Sequence, residues 1–279
     1  MTTLAIAGWR VRMECGLPVV AEAIAARYAA FAAPDDAPSD TTITVSVGSE
    51  MAGAVPGGLS PQMRVMYLGD TVQLDAPGAC GKIIVSSWQA WLELSSEAFY
   101  PNLEYFLRIL CALLAYRTDG LLMHAAGLLV DGQVYLFIGH SGSGKSTTVA
   151  LSPHALALGD DLILLRPEEA GWRAYGTPFW NPETTRRAGQ TASGLLVGIY
   201  SLVQDREVYL QTMSPAAAAA ELAANCPVVS GDVAQLPGLL GRCQQLGAVV
   251  PVQWLHFRKD PGFWGLLRGG PGTIREGSL

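Results

Sequence analysis

The sequence predicts an α/β chain in two parts: a small α+β unit over residues 1–97 and a larger α/β domain over residues 98–279. Three observations predict it. Short apolar stretches alternate with turn chemistry through the first hundred residues. Longer apolar runs begin at Leu121, and the second of them ends in a glycine-rich turn that opens a helix.

In the first part, residues 3–15 read as a strand, and the alanine-rich stretch 18–31 carries apolar spacing near the helical period. Residues 32–40 hold Pro34, Pro38 and three aspartates, which makes a loop. Short strands follow at 41–47, 63–68, 71–74 and 82–86, the middle two joined by Gly69-Asp70 as a hairpin. Residues 101–116 predict a helix, with Pro101 near its first turn, Gly120 after its end and a wide apolar face of Leu103, Phe106, Leu107, Leu110, Leu113 and Leu114. It reads as a packing helix.

In the second part, residues 121–130 and 134–138 predict two strands joined by Asp131-Gly132. A helix over 145–151 follows, stopped by Pro153, and then a strand over 155–159 that ends in two aspartates. Strands at 162–166 and 172–175, a strand at 207–212, helices at 215–224 and 236–246, and a closing strand at 250–257 complete the pattern. The alanine run from Ala216 reads as a tightly packed helix.

Composition narrows the function classes. Half of the 279 residues are hydrophobic and 15% are charged, well below the roughly 25% usual in soluble domains, so the chain should be compact. Net charge is −6 and no basic run exceeds Arg186-Arg187, which argues against a nucleic-acid surface. The greasiest stretch, 107–130, contains Arg108, Arg117, Asp119 and His124 and does not suit a membrane span. The five cysteines form no metal-ligand or CxxC spacing, and no signal peptide is legible at residues 1–12. The expectation is reduced thiols in a cytoplasmic protein with no membrane and no nucleic-acid partner.

Gly139-His140-Ser141-Gly142-Ser143-Gly144-Lys145-Ser146 fulfils the pattern G-x-x-x-x-G-K-[ST]. Glycines let the backbone curl so that successive N–H groups face phosphate oxygens, and the helix opening at Lys145 adds the positive end of its dipole. Lys145, one of only three lysines in the chain, should reach the β- and γ-phosphates, while the Ser146 hydroxyl should ligate Mg²⁺. Thr147 stands where a dinucleotide fingerprint would need its third glycine, so that reading fails. His140 occupies a variable loop position and should only border the nucleotide.

Asp160-Asp161 follows Lys145 by fifteen and sixteen residues. Adjacent carboxylates suit two jobs in phosphoryl transfer, orienting Mg²⁺ and accepting a proton from the attacking hydroxyl. Successive strand residues face opposite ways, so both reach the phosphates only where the strand ends or twists. Gly-Asp-Asp is also ordinary turn chemistry. His124, alone, reads as a core histidine at a strand start; His154 and His256 carry no spacing argument.

Taken together, His-Ala-Ala-Gly at 124–127, Val130-Asp131-Gly132, the loop at 139–146 and Gly159-Asp160-Asp161 resemble the HPr kinase/phosphorylase superfamily, and more closely its shorter HPr-kinase-related branch. The resemblance covers residues 101–166 and continues more loosely through Gly176-Thr177-Pro178-Phe179 to residues 251–257. It implies a P-loop kinase core of the type shared with phosphoenolpyruvate carboxykinase, ATP with Mg²⁺ as donor, and a serine hydroxyl on a peptide or small protein as acceptor. It further implies Asp161 as base, Asp160 as metal or orienting partner and His124 behind them, with the two aspartates open to exchange. Family members are often homo-oligomers.

The chain also departs from the family. The Ile-Arg-Gly-Leu-Gly segment of the bifunctional enzymes, tied to phosphorylase activity and to gripping HPr, has no counterpart in residues 184–197. Related short kinases of lasso-type peptide clusters phosphorylate a precursor's terminal serine, and this chain resembles them in size. Glu183 is a further metal candidate, and Arg186 or Arg187 a phosphate clamp. Two other readings remain open: a kinase for a small-metabolite hydroxyl, and an ATP-binding regulator without transfer. No N-K-x-D guanine signature and no L-S-G-G-Q transporter signature occurs.

Overall fold

The computed structural model describes residues 1–36, 38–48, 63–95, 99–179, 191–269 and 274–276. It is mixed α/β and divides into two compact units, Met1–Leu114 and Ala115–Leu279, each built on one large mixed sheet. Among the described residues, no helix is long and apolar enough to cross a membrane.

In the first unit, β1 (Thr2–Ile6) and β2 (Trp9–Cys15) precede helix α1 (Pro18–Arg27) and the two-residue β3 (Ala32–Ala33). Then come β4 (Thr41–Val47), β5 (Arg64–Leu68), β6 (Thr71–Ala76), β7 (Ala79–Ile84) and β8 (Gln89–Leu94). Their order in the sheet is β3-β1-β2-β4-β8-β7-β6-β5. The expected single strand over residues 3–15 is a hairpin. Its turn uses Ala7 and Gly8 at φ +50° and +88°, and no Asn-Gly or Asp-Gly marks it in the sequence. The strand β8 escaped the sequence reading, although Ala90, Leu92 and Leu94 alternate inward against outward Gln89, Trp91 and Glu93.

The boundary between the units falls inside α2 (Phe99–Arg117). Its early turns pack on the first sheet. Asn102 Nδ2 donates to Pro77 O at 3.1 Å, Arg27 Nη2 donates to Glu104 at 2.8 Å, and Phe106 lies so close to Gly81 that a Cβ there would meet the ring at 2.5 Å.

The second unit contains β9 (Leu121–Val130), β10 (Gln133–Ile138), α3 (Lys145–Ala150), β11 (Leu156–Gly159), β12 (Leu162–Glu168) and β13 (Gly171–Tyr175). It continues with β14 (Ser193–Gln204), β15 (Tyr209–Thr212), α4 (Pro215–Ala224), α5 (Leu236–Val249), β16 (Val252–Phe257), α6 (Phe263–Leu267) and β17 (Ile274–Arg275). The path is β10-β9-β12-β13-β14-β16-β15-β17, with β11 added beside β9. Because β10 also pairs β14, the strands β9, β10, β14, β13 and β12 close into a ring.

The long strand β14, missed from sequence, is the spine of this unit. It runs parallel to β10 on one side and to β16 on the other. The carboxyl ends of all three strands therefore emerge along one edge. Ligands commonly dock beyond the carboxyl ends of parallel strands.

Alternate residues of the same strands feed two cores. Met123, Ala125, Leu136 and Ile138 pack with Leu222 of α4 and Leu246 of α5, while Leu128, Phe137 and Tyr200 pack with Phe263 and Trp264 of α6. Burying each such large side chain stabilises the fold by about 1.5–3 kcal/mol. A sheet covered on both faces can offer polar groups to solvent only at its strand ends.

Candidate active site

The loop that leaves β10 takes its shape from three glycines at positive φ: Gly139 at +140°, Gly142 at +81° and Gly144 at +116°. Two of them are also pressed against neighbours. A Cβ on Gly139 would sit 2.8 Å from Ser143 Oγ, and one on Gly144 would sit 2.6 Å from Phe257 Cζ. Lys145 opens α3 and is buried, with Nζ donating to Gly139 O at 2.6 Å and to His140 O at 3.2 Å. Burial lowers its pKa below the ordinary 10.5, and the charge of Asp161 partly offsets that. Thr148, fully buried, anchors the first turn by donating to Lys145 O at 2.7 Å.

The doublet sits at a bend. β11 ends at Gly159 and β12 starts at Leu162, both running antiparallel to β9. Alternation is interrupted at Asp160 and Asp161, and both border one cleft. Ala125 N donates to Asp161 O at 3.0 Å, which locks the bend to β9. Thr177, fully buried, donates its hydroxyl to Leu162 O at 2.7 Å and fixes the chain just beyond the doublet. His124 Nε2 stands 3.5 Å from Asp161 Oδ1, on the strand that faces the bend.

The cleft has a volume of about 240 Å³ and is bordered by His124, Ser141, Gly142, Gly144, Lys145, Ser146, Thr147, Asp160 and Asp161. Three of the loop residues singled out from sequence do not border it. Gly139 and Ser143 are buried beneath the loop, and His140 is exposed. Glu183, Arg186 and Arg187 lie outside the described residues.

Neither the protein-family models nor the curated proteins compared with the chain match it. The site is therefore read from its own residues.

Sequence reasoning missed the groups that hold the cleft together. Asn225, just past α4, accepts from His124 N through its backbone oxygen at 2.7 Å and from Gly139 N through Oδ1 at 3.3 Å. Its Nδ2 donates to Glu221 O at 2.9 Å, and the Glu221 carboxylate takes the Ser201 hydroxyl of β14 at 2.8 Å. Gln204, at the end of β14, donates Nε2 to Gly142 O at 2.8 Å. An asparagine behind an alanine run carries no motif, so only the fold reveals that it ties His124 to the loop.

The donor set suits Mg²⁺. Among the described residues no cluster of three or more His, Cys, Asp or Glu side chains forms a protein cage. Mg²⁺ commonly takes one or two carboxylates together with phosphate oxygens, and Ser146 and Asp160, a hydroxyl and a carboxylate, both border this cleft.

Proposed function

We propose that the protein is an ATP-dependent kinase of the HPr-kinase-like type, with a P-loop kinase core, that phosphorylates a serine hydroxyl on a peptide or small protein. The observation that carries this reading is that Lys145 and Ser146 of the glycine loop and both carboxylates of the doublet border one cleft.

The loop amides and the start of α3 receive the polyphosphate. Lys145 Nζ spends two of its N–H groups on Gly139 O and His140 O, which leaves the third for a phosphate oxygen. Ser146 and Asp160 would hold Mg²⁺, which would supply positive charge to offset the charge of the triphosphate. Asp161 removes the proton of the attacking serine hydroxyl. The new O–P bond forms as the bond from the γ-phosphorus to the bridging oxygen breaks, and ADP leaves. His124 orients the Asp161 carboxylate from the β9 side. Chemistry of this kind rests on positioning and charge rather than on covalent steps by the protein.

The acceptor class comes from the family resemblance, and its test is isotope transfer. Wild-type protein incubated with γ-labelled Mg-ATP should label serine-bearing peptides or small proteins. Label confined to small hydroxylated metabolites would replace the acceptor. Tight ATP binding with no transfer to either set would leave a nucleotide-binding regulator.

A further inference from the structure

The first sheet carries a cavity of about 380 Å³, within the roughly 300–1,000 Å³ of small-molecule sites. All of its lining residues belong to the first unit, which the phosphate chemistry does not use. Strand pairing explains how its floor forms. β2, β4 and β8 are parallel neighbours, so Glu14, Thr44 and Trp91 stand in register as one row on the same face, with Thr42 and Gln89 in the next row. Their chain neighbours Met13, Ile43, Val45, Ala90 and Leu92 are buried on the other face, which turns the row to solvent.

We propose that this cavity binds a basic side chain of a peptide, a lysine ammonium or an arginine guanidinium. The inference stands on the first unit alone and does not depend on the phosphate-loop reading.

Three features argue for it. The first is charge. The ionisable groups that line the cavity are Glu14 and Asp40, both acidic. Glu14 is exposed and makes no ion pair among the described residues. Asp40 Oδ2 accepts Arg10 N at 2.7 Å, which fixes the carboxylate in place. Arg12, two residues before Glu14, is turned to the loop and donates Nη2 to Asp35 O at 3.3 Å.

The second is the ring. Trp91, 41% exposed, is the one exposed tryptophan among the described residues, and tryptophan is the ring that attracts cations most strongly. Glu14 and Trp91 flank the short side chain of Thr44, about 9–10 Å apart across two strand spacings. A cation seated over Thr44 would therefore meet a carboxylate on one side and an indole on the other. Lys82 pairs with Trp91 on the side away from Thr44, so only the carboxylate side favours a cation.

The third is that the walls are braced in advance. Thr41 is buried and donates its hydroxyl to Trp88 O at 2.7 Å, and Thr42 N donates to the same oxygen at 3.2 Å. Ser86 N donates to Asp70 Oδ1 at 2.8 Å, which holds the turn that leads into β8. The hydroxyls of Thr44 and Ser87 line the space and can accept from a bound N–H group.

The test titrates the full chain into a dye-labelled peptide of alternating glycine and lysine, read by fluorescence anisotropy at about 0.15 M salt, where charges beyond roughly 8 Å are screened. The same peptide with its lysines acetylated keeps its length and loses its charge. Wild type should bind the first peptide and not the second. Trp91→Ala should weaken binding about three- to tenfold, and Trp91→Phe should recover part of the loss. Glu14→Gln should weaken it about two- to fivefold. Asp75→Asn removes an exposed carboxylate of the same sheet that does not line the cavity, and should leave affinity unchanged. An unchanged thermal midpoint shows that each variant is folded. Equal binding of the acetylated peptide, no binding of either, or equal losses in Asp75→Asn and Glu14→Gln would overturn the site. Binding of a neutral oligosaccharide such as maltotetraose in place of the peptide would overturn it in favour of a sugar site. No nucleotide enters the test, so its failure leaves the kinase reading as it stands.

Discussion

The two sheets solve the same burial problem differently. In the first unit the strands alternate, as in β8 with every second residue buried and in β6 with Val72, Leu74 and Ala76 inward, so one face packs and the other meets water. In the second unit β9 and β10 are buried almost throughout, because helices cover both faces. A one-sided sheet spreads its polar side chains across a surface. A two-sided sheet concentrates them at strand ends, and the bend at Asp160-Asp161 and the loop after Ile138 are such ends. Two of the three positive-φ loop glycines, Gly142 and Gly144, border the cleft, while the positive-φ glycines of the first unit, Gly8, Gly69 and Gly78, serve turns.

The largest effect that would break this comparison concerns the bend. Asp161→Asn should lower the transfer rate by about 10²–10⁴-fold, the usual worth of a positioned base, with ATP affinity nearly unchanged. Single-turnover kinetics beside a binding titration check it, and a variant that transfers as fast as wild type removes Asp161 from the role of base.

Next in size, Lys145→Ala should weaken Mg-ATP about a hundredfold, in keeping with roughly 1.5–3 kcal/mol for a hydrogen bond to a charged group. An unchanged affinity would count against the loop as a phosphate site.

The two units are separated most cleanly by paired glycine changes. Gly81→Ala drives a Cβ to 2.5 Å from the Phe106 ring, and Gly144→Ala drives one to 2.6 Å from Phe257. Each should cost about 1–3 kcal/mol, read as a fall in thermal midpoint. Only Gly144→Ala should also weaken ATP binding. Equal loss of binding in both variants would show that the distinction between a structural sheet and a site-bearing sheet is wrong.

The smallest effect is on pH dependence. The Lys145 pKa in the free protein is lowered by burial, and a bound phosphate favours the charged amine. Affinity should therefore be present at neutral pH and be lost on the alkaline side, beginning at a lower pH than an ordinary lysine would give. Titrations across that range should show the loss in wild type and not in Lys145→Arg, whose guanidinium stays charged.

Much of the fold was legible in the chain. The hairpin at Asp131-Gly132, the packing helix after Pro101 and the helix opened by Lys145 each carry a local signal in turn chemistry or period, and each stands in the structure within a few residues of its expected place. The strands β8 and β14 were not legible. In β14, Gly194 and Gly198 interrupt an apolar run, and their place becomes plain only in three dimensions: a Cβ on Gly194 would meet Leu129 at 2.5 Å and Gly132 O at 2.7 Å. The site divides in the same way. Its glycine-rich loop is a contiguous motif, whereas Asn225, Glu221 and Gln204 join it through tertiary contacts that leave no spacing in the sequence.

The central claim is geometric: the loop at residues 139–146 holds the polyphosphate with the doublet at its outermost phosphorus. A crystal structure with Mg²⁺ and a non-hydrolysable ATP analogue tests it most directly. The account places the γ-phosphorus in the cleft, between Lys145 and Asp161, with Ser146 and Asp160 at the metal. Phosphates bound elsewhere, or a γ-phosphorus turned away from both carboxylates, would contradict it.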